Sequence, residues 1–263
     1  MSVFLQRSGL LSAAGGEVVN PPAYAAFSNV KFLSAMKANP AIDLRTSPNT
    51  ITHQGGCTID TGQTLFGQPM MEFDGTDDRI GKTDAMDGSF VPGTNEFGFF
   101  CYFHTPATHQ DGTIATYIEK PGSQWRTYWH FSIGSDGKLA FAMWSGVTGG
   151  GYSNLATTDA LDTSTTYLIG FSKEDWSSGQ QNRRIFFGKL TDTQCVVKAT
   201  MEHNGNTSGT QLSDAPHFCL GYYLVGSTKT SPLKGHIGEA VYVVGEPYIT
   251  AAFDTPTVGW PRS

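Results

Sequence analysis

Apolar residues recur at every second position over much of the chain, from about residue 66 to residue 244. Across 127–133, Trp129, Phe131 and Ile133 fall on one side of an extended backbone and Tyr128, His130 and Ser132 on the other, as in a half-buried strand. The run 139–144 alternates in the same way, and Gly134-Ser135-Asp136-Gly137 between them offers a residue that can take positive φ in a tight turn. These two runs predict a hairpin. Further strands are predicted near 69–74, 97–104, 113–119, 166–172, 183–190, 194–201, 217–223 and 236–244, each bounded by Gly, Pro, Asn, Asp or Ser. A helical turn competes with this pattern only around 30–38.

The first thirty residues break the pattern. Ala13-Ala14-Gly15-Gly16 and Asn20-Pro21-Pro22 interrupt any period, while Phe4, Leu5, Leu10 and Leu11 are large apolar side chains with no local core to join. A segment of this kind cannot bury enough surface alone to offset its ordering entropy. It is read as an arm that docks on a partner through those four residues.

Composition narrows the class. Of 263 residues, 15% are charged, 39% are apolar, and there are 31 Gly, 17 Phe and 10 Tyr, which favours many short strands joined by tight turns within one large all-β domain. The net charge of −6 argues against nucleic acid or an anionic membrane as partner, since both need clustered Lys and Arg. No run of about 18 apolar residues exists to cross a membrane as a helix. The start of the chain lacks a basic segment followed by an apolar run, so synthesis and retention in the cytoplasm are expected. Cys57, Cys101, Cys195 and Cys219 are widely spaced and are read as reduced.

Several segments match a known pattern in order. Leu65-Phe66-Gly67 followed by Met71-Glu72-Phe73-Asp74-Gly75-Thr76-Asp77-Asp78-Arg79-Ile80 comes first; then 97–104, the 129–144 hairpin, 167–171 and 184–188; then Phe218-Cys219-Leu220-Gly221 and 233–242. Together they resemble the laminin G-like branch of the concanavalin A-like lectin and glucanase superfamily, over roughly 31–246. That resemblance implies a two-sheet antiparallel jelly-roll sandwich, with an arm at 1–30 and a tail at 247–263. Gly238 stands where the family usually has an acidic residue. The stretch 32–59 resembles the lead-in of versions found in bacteriophage structural proteins, which implies a virion component.

Candidate chemistry is sparse. Superfamily glucanases place Glu-x-Asp-x-(x)-Glu on one strand, so that alternation puts the carboxylates on one face; here Glu72-Phe73-Asp74 is followed by Thr76 where the second Glu would stand. No catalytic residue is assigned. Asp74, Asp77 and Asp78 could offer oxygens to calcium, against the plainer reading of an Asp-Gly turn bonded to its own backbone. His104 and His109 lie five apart without acidic or Cys partners, a weak metal spacing. Trp125, Tyr128, Trp144, Tyr152 and Trp176 flank the central hairpin, and exposed rings stack on sugars or anchor protein interfaces; placement in the core is the plainer reading of each.

The expectation from all of this is a non-enzymatic virion protein, a capsid decoration or tail component held through its arm and sandwich surface to shell or tail proteins, as a homo-oligomer or symmetric array. The alternative is a glycan-binding, lectin-like module for host-surface attachment. A glycoside hydrolase or lyase ranks third. No cofactor is required, calcium being the one candidate.

Overall fold

The computed structural model describes residues 30–34, 36, 50–82, 96–119, 126–144, 152–175, 180–204, 217–225, 228–245 and 252–255. Phe4, Leu5, Leu10, Leu11, Trp125 and Trp176 lie outside the described residues.

Eighteen strands and no helix occur among the described residues. In chain order they are β1 (Val30–Ser34), β2 (Thr52–Gln54), β3 (Thr58–Leu65), β4 (Gln68–Asp74), β5 (Arg79–Lys82), β6 (Phe97–His104), β7 (Gly112–Glu119), β8 (Arg126–Ile133) and β9 (Lys138–Trp144). The second half adds β10 (Tyr152–Ala160), β11 (Thr166–Asp175), β12 (Gln180–Lys189), β13 (Gln194–Asn204), β14 (His217–Leu220), β15 (Tyr223–Val225), β16 (Thr228–Thr230), β17 (Lys234–Val244) and β18 (Phe253–Asp254). The larger sheet runs β18-β13-β12-β11-β6-β17-β4-β3, and the smaller runs β10-β9-β8-β7-β14-β5-β2. The strands β15 and β16 form a separate pair, with β15 lying against β7 and β8. The expected all-β antiparallel sandwich is therefore the fold this chain has.

Alternation explains the stacking. On β6, Phe97, Phe99, Cys101 and Phe103 face the smaller sheet and join one core, while Phe100 and Tyr102 face outward and join another. Phe171 of β11 sits at the centre of the first core. Its ring stacks on Phe141 at 4.0 Å and lies 5.0 Å from Trp129, 5.5 Å from Phe131 and 5.8 Å from Phe97. Edge-on and offset ring pairs of this kind add to simple area burial. The second core covers the outer side of the larger sheet with Met70, Leu168, Phe186, Val241 and Val243, and Phe253 closes on it 6.4 Å from Phe100. The stretch after residue 246 thus contributes β18, paired with β13 through Cys195↔Phe253.

The central hairpin forms as the sequence predicts, with Trp129↔Met143 and Phe131↔Phe141 in register. Its turn closes with the Gly137 N–H donating to the Gly134 carbonyl at 2.8 Å, and Gly137 takes φ +77°. A Cβ at Gly137 would also strike the His109 ring at 2.9 Å. Over 30–34 the helical alternative fails: Val30–Ser34 pair with β17, and across an irregularity in register Val30 joins the outer core and Phe32 the inner one. Two long strands, β3 and β10, carry too few apolar residues to have been predicted from pattern.

All four cysteines are free and buried. Burial raises each thiol pKa, to about 12 at Cys57 and about 11 at Cys219.

Phe171→Ala should cost about 3–5 kcal/mol, the usual range for deleting a buried ring. Urea unfolding with an unchanged m-value would measure it, and a loss below about 1 kcal/mol would show that Phe171 is not the centre of the core.

Candidate functional site

The strands divide the candidate residues between two ends of the sandwich. At one end, Phe97 opens β6 opposite Lys173 of β11 and Val244 of β17. Glu119 pairs with Arg126, Trp144 with Tyr152, and Asp175 with Gln181 at that same end. Trp125 immediately precedes Arg126 in sequence, and Trp176 immediately follows Asp175. Of the five aromatic positions singled out from sequence, Trp144 and Tyr152 occupy strand termini at this end. Tyr128 does not. It is 4% exposed, meets Tyr117 edge-on at 5.9 Å and belongs to the core.

This end is tied together beneath the strand termini. Arg183 of β12 is fully buried and its guanidinium donates to the Ser153 hydroxyl, joining the larger sheet to β10 beside Tyr152. Its cross-strand neighbour Lys173 is also fully buried, with its ammonium 5.7 Å from the centre of the Phe97 ring. On the other side of the sheet, Arg184 and Glu174 form a largely buried ion pair at 2.6 Å. Such pairs resist displacement because separating them would leave a poorly solvated charge.

The opposite end is closed by backbone and side-chain hydrogen bonds between loops. The Thr105 hydroxyl donates to the carbonyl of Asp162 at 2.7 Å, the Ser135 N–H donates to Asp111 at 2.7 Å, and His109 Nε2 bonds the Leu161 carbonyl at 2.9 Å. His104 bonds Thr166 Oγ1 through Nδ1 at 2.9 Å. The two histidines that lie five apart in sequence thus serve different partners.

Asp74, Asp77 and Asp78 do not share one role. Asp78 is 1% exposed, and its two oxygens accept the N–H groups of Gly56 and, at 2.7 Å, of Asp74. The Asp74 carboxylate accepts the Thr76 N–H at 2.7 Å, while Asp77 points to solvent. The Asp-Gly turn thus uses Asp74 and Asp78 as backbone acceptors, and Asp78 also ties the turn to the β2–β3 connection. Glu72 is exposed, whereas Phe73 between Glu72 and Asp74 faces the core. At Gly238, a Cβ would lie 2.5 Å from Leu65 Cδ2, so the acidic side chain usual in the resembling family has no room here.

On the outer face of the smaller sheet, Cys219, Thr116, His130, Ala142 and Asn154 stand side by side on adjacent strands. Burial pushes the His130 imidazole down to about 4. Sequence alternation placed His130 on this face but gave no sign that the face is covered.

No family model matches the chain, and no curated protein matches it in sequence. Solved structures match in fold. The binding domain of botulinum neurotoxin serotype C1 superposes with a TM-score of 0.53 at 9% identity, over 83% of this chain and 49% of the toxin chain. The binding domain of botulinum neurotoxin DC, solved in complex with SialylT, gives 0.51 at 8% identity, over 82% of this chain and 47% of that one. This chain thus spans about half the length of those domains. A CBM40 domain of Ruminococcus gnavus IT-sialidase, bound to α2,3 sialyllactose, gives 0.49 at 14% identity, over 66% of this chain and 88% of that one. What this chain shares with the neurotoxin domains is the β-sandwich fold.

Asp78→Ala should destabilise the chain by about 2–3 kcal/mol, because two backbone donors lose a charged acceptor in a buried setting, whereas Asp77→Ala should be within about 0.5 kcal/mol of neutral. Equal effects in chemical denaturation would remove this distinction. The His130 shift predicts acid sensitivity. A base whose pKa is depressed by folding binds more protons when unfolded, so its contribution is complete above about 6.5 and is lost as pH falls toward 4. The loss is on the order of 3 kcal/mol. His130→Gln should flatten the fall of Tm between pH 6.5 and 4, and parallel pH profiles would show that His130 is not responsible.

Proposed function

We propose that this chain is a carbohydrate-binding module that receives its sugar at the end of the sandwich bearing Trp144 and Tyr152. The observation that carries the reading is the pairing of Trp144 and Tyr152 as cross-strand partners at that end; Trp125 and Trp176 are next in sequence to Arg126 and Asp175. Aromatic rings present flat apolar faces that match the C–H faces of a pyranose, and each good stacking contact adds about 0.5–1.5 kcal/mol beyond area burial. Pinning by Arg183 below this end supplies the rigid support that a shallow binding site needs.

The fold comparison supports a binding role. The neurotoxin domains that share this sandwich were solved with SialylT in one case and with rat synaptotagmin II in another. Thr76 at the position of the second glucanase Glu speaks against hydrolysis. The virion role and the cytoplasmic origin expected from sequence draw no support from these structures, and the arm residues that would test that role lie outside the described residues. The division into arm and sandwich at residue 30 is likewise carried forward as part of the proposal, with Phe253–Asp254 of the expected tail joined to the sandwich.

A glycan array containing neutral and sialylated oligosaccharides, followed by calorimetry on the retained ligands, tests the reading. Trp144→Ala and Tyr152→Ala should each weaken binding roughly tenfold, about 1.4 kcal/mol, while the melting temperature stays within a few degrees. Failure to retain any glycan, or retention indifferent to both substitutions, would defeat it.

A further inference from the structure

A second cluster of chemistry-bearing side chains lies on the outer face of the larger sheet, near the end opposite the aromatic positions. Asp60 of β3, Glu72 of β4 and His236 of β17 come from three consecutive strands of that sheet. The register makes the grouping: His236 stands directly opposite Glu72, and Glu72 directly opposite Thr58, two residues from Asp60 on the same face. One donor atom from each of the three lies within 4.8 Å of the other two. His236 Nε2 is 2.9 Å from Asp60 Oδ2.

We propose that Asp60, Glu72 and His236 form a binding site for a divalent transition metal of the zinc type. One imidazole nitrogen and two carboxylates are a nitrogen and oxygen donor set of the kind zinc accepts, with bonds of about 2.0–2.2 Å, which space tetrahedral donors roughly 3.3–3.5 Å apart. The Nε2–Oδ2 separation of 2.9 Å is near that spacing, and the three donors all lie within 4.8 Å of one another. Strands provide the rigidity. The three Cα positions are fixed by ladder hydrogen bonds rather than by loop conformation.

The proton balance also permits it. Among the described residues, Nε2 of His236 has Asp60 as its partner and Nδ1 is buried without one. When a metal takes Nε2 in place of the Asp60 contact, the ring proton moves to Nδ1, and no existing Nδ1 hydrogen bond is broken. The Gly62 N–H donates to Asp60 Oδ1 at 2.7 Å, which orients the carboxylate and leaves Oδ2 toward His236.

The neighbour beyond His236 is His104, directly opposite on β6, with the two ring centres 5.7 Å apart. Its Nδ1 is bonded to Thr166, leaving Nε2 for another role. Zinc centres with three protein ligands fill the fourth position with water or a ligand.

Calorimetric titration of the full chain with Zn²⁺ at neutral pH should give one site with a dissociation constant of about 10 μM or tighter. Co²⁺ in its place should develop the visible absorption of a four-coordinate ion. Glu72→Gln, Asp60→Asn and His236→Gln should each weaken Zn²⁺ binding at least tenfold and abolish the Co²⁺ spectrum, with the metal-free melting temperature within a few degrees for the exposed Glu72→Gln. No Zn²⁺ binding at roughly 100 μM, or binding that survives Glu72→Gln and Asp60→Asn at full strength, would overturn the proposal. Because the site lies away from Trp144 and Tyr152, its failure leaves the carbohydrate result untouched.

Discussion

The space between the two sheets has to be filled by side chains that reach across roughly 10 Å. In this chain the filling is aromatic. Phe97, Phe99 and Phe171 from one sheet and Trp129, Phe131 and Phe141 from the other meet ring against ring, with Phe171 and Phe141 stacked at the middle. Each of these residues lies on a strand whose neighbours alternate, so a one-residue slip of any of them would turn its rings to the outside. Everything else follows from the registers that this packing fixes, including which strand ends face one another and which side chains share an outer face.

Much of this was legible in the sequence because alternation is a local signal. The pattern around Trp129, Phe131 and Ile133 identifies β8, its turn and β9, and Phe97 to His104 spans one strand in both sequence and structure. The strand β10 escaped because Tyr152–Ala160 offers Leu155 as its sole large aliphatic, its sheet-edge position sparing it a second apolar face. β3 escaped because the Thr58–Leu65 segment fully buries Leu65 alone. Val30–Ser34 was ambiguous because five residues are too few to separate a helical from an extended period, and its partner lies more than two hundred positions away.

The sites show the same divide between local and distant information. Trp125, Trp144, Tyr152 and Trp176 were noticed because they flank one hairpin in sequence, and of the described pair the topology puts Trp144 opposite Tyr152 at one end. Asp78 was seen as part of an Asp-Gly turn, which it is, but its hold on Gly56 needed the fold to bring the β2–β3 connection alongside. The grouping of Asp60, Glu72 and His236 had no signal at all in the spacing of residues. Two of its members are 176 positions apart, and they meet because β17 returns to lie beside β4.

The four buried thiols carry a consequence for where such a molecule can work. Thiolate is the reactive form toward disulfides, oxidants and alkylating reagents, and burial suppresses both its formation and its access. The native chain therefore resists disulfide exchange, oxidation and alkylation at these four positions, whereas its unfolded form exposes Cys57, Cys101, Cys195 and Cys219 together to the same reagents.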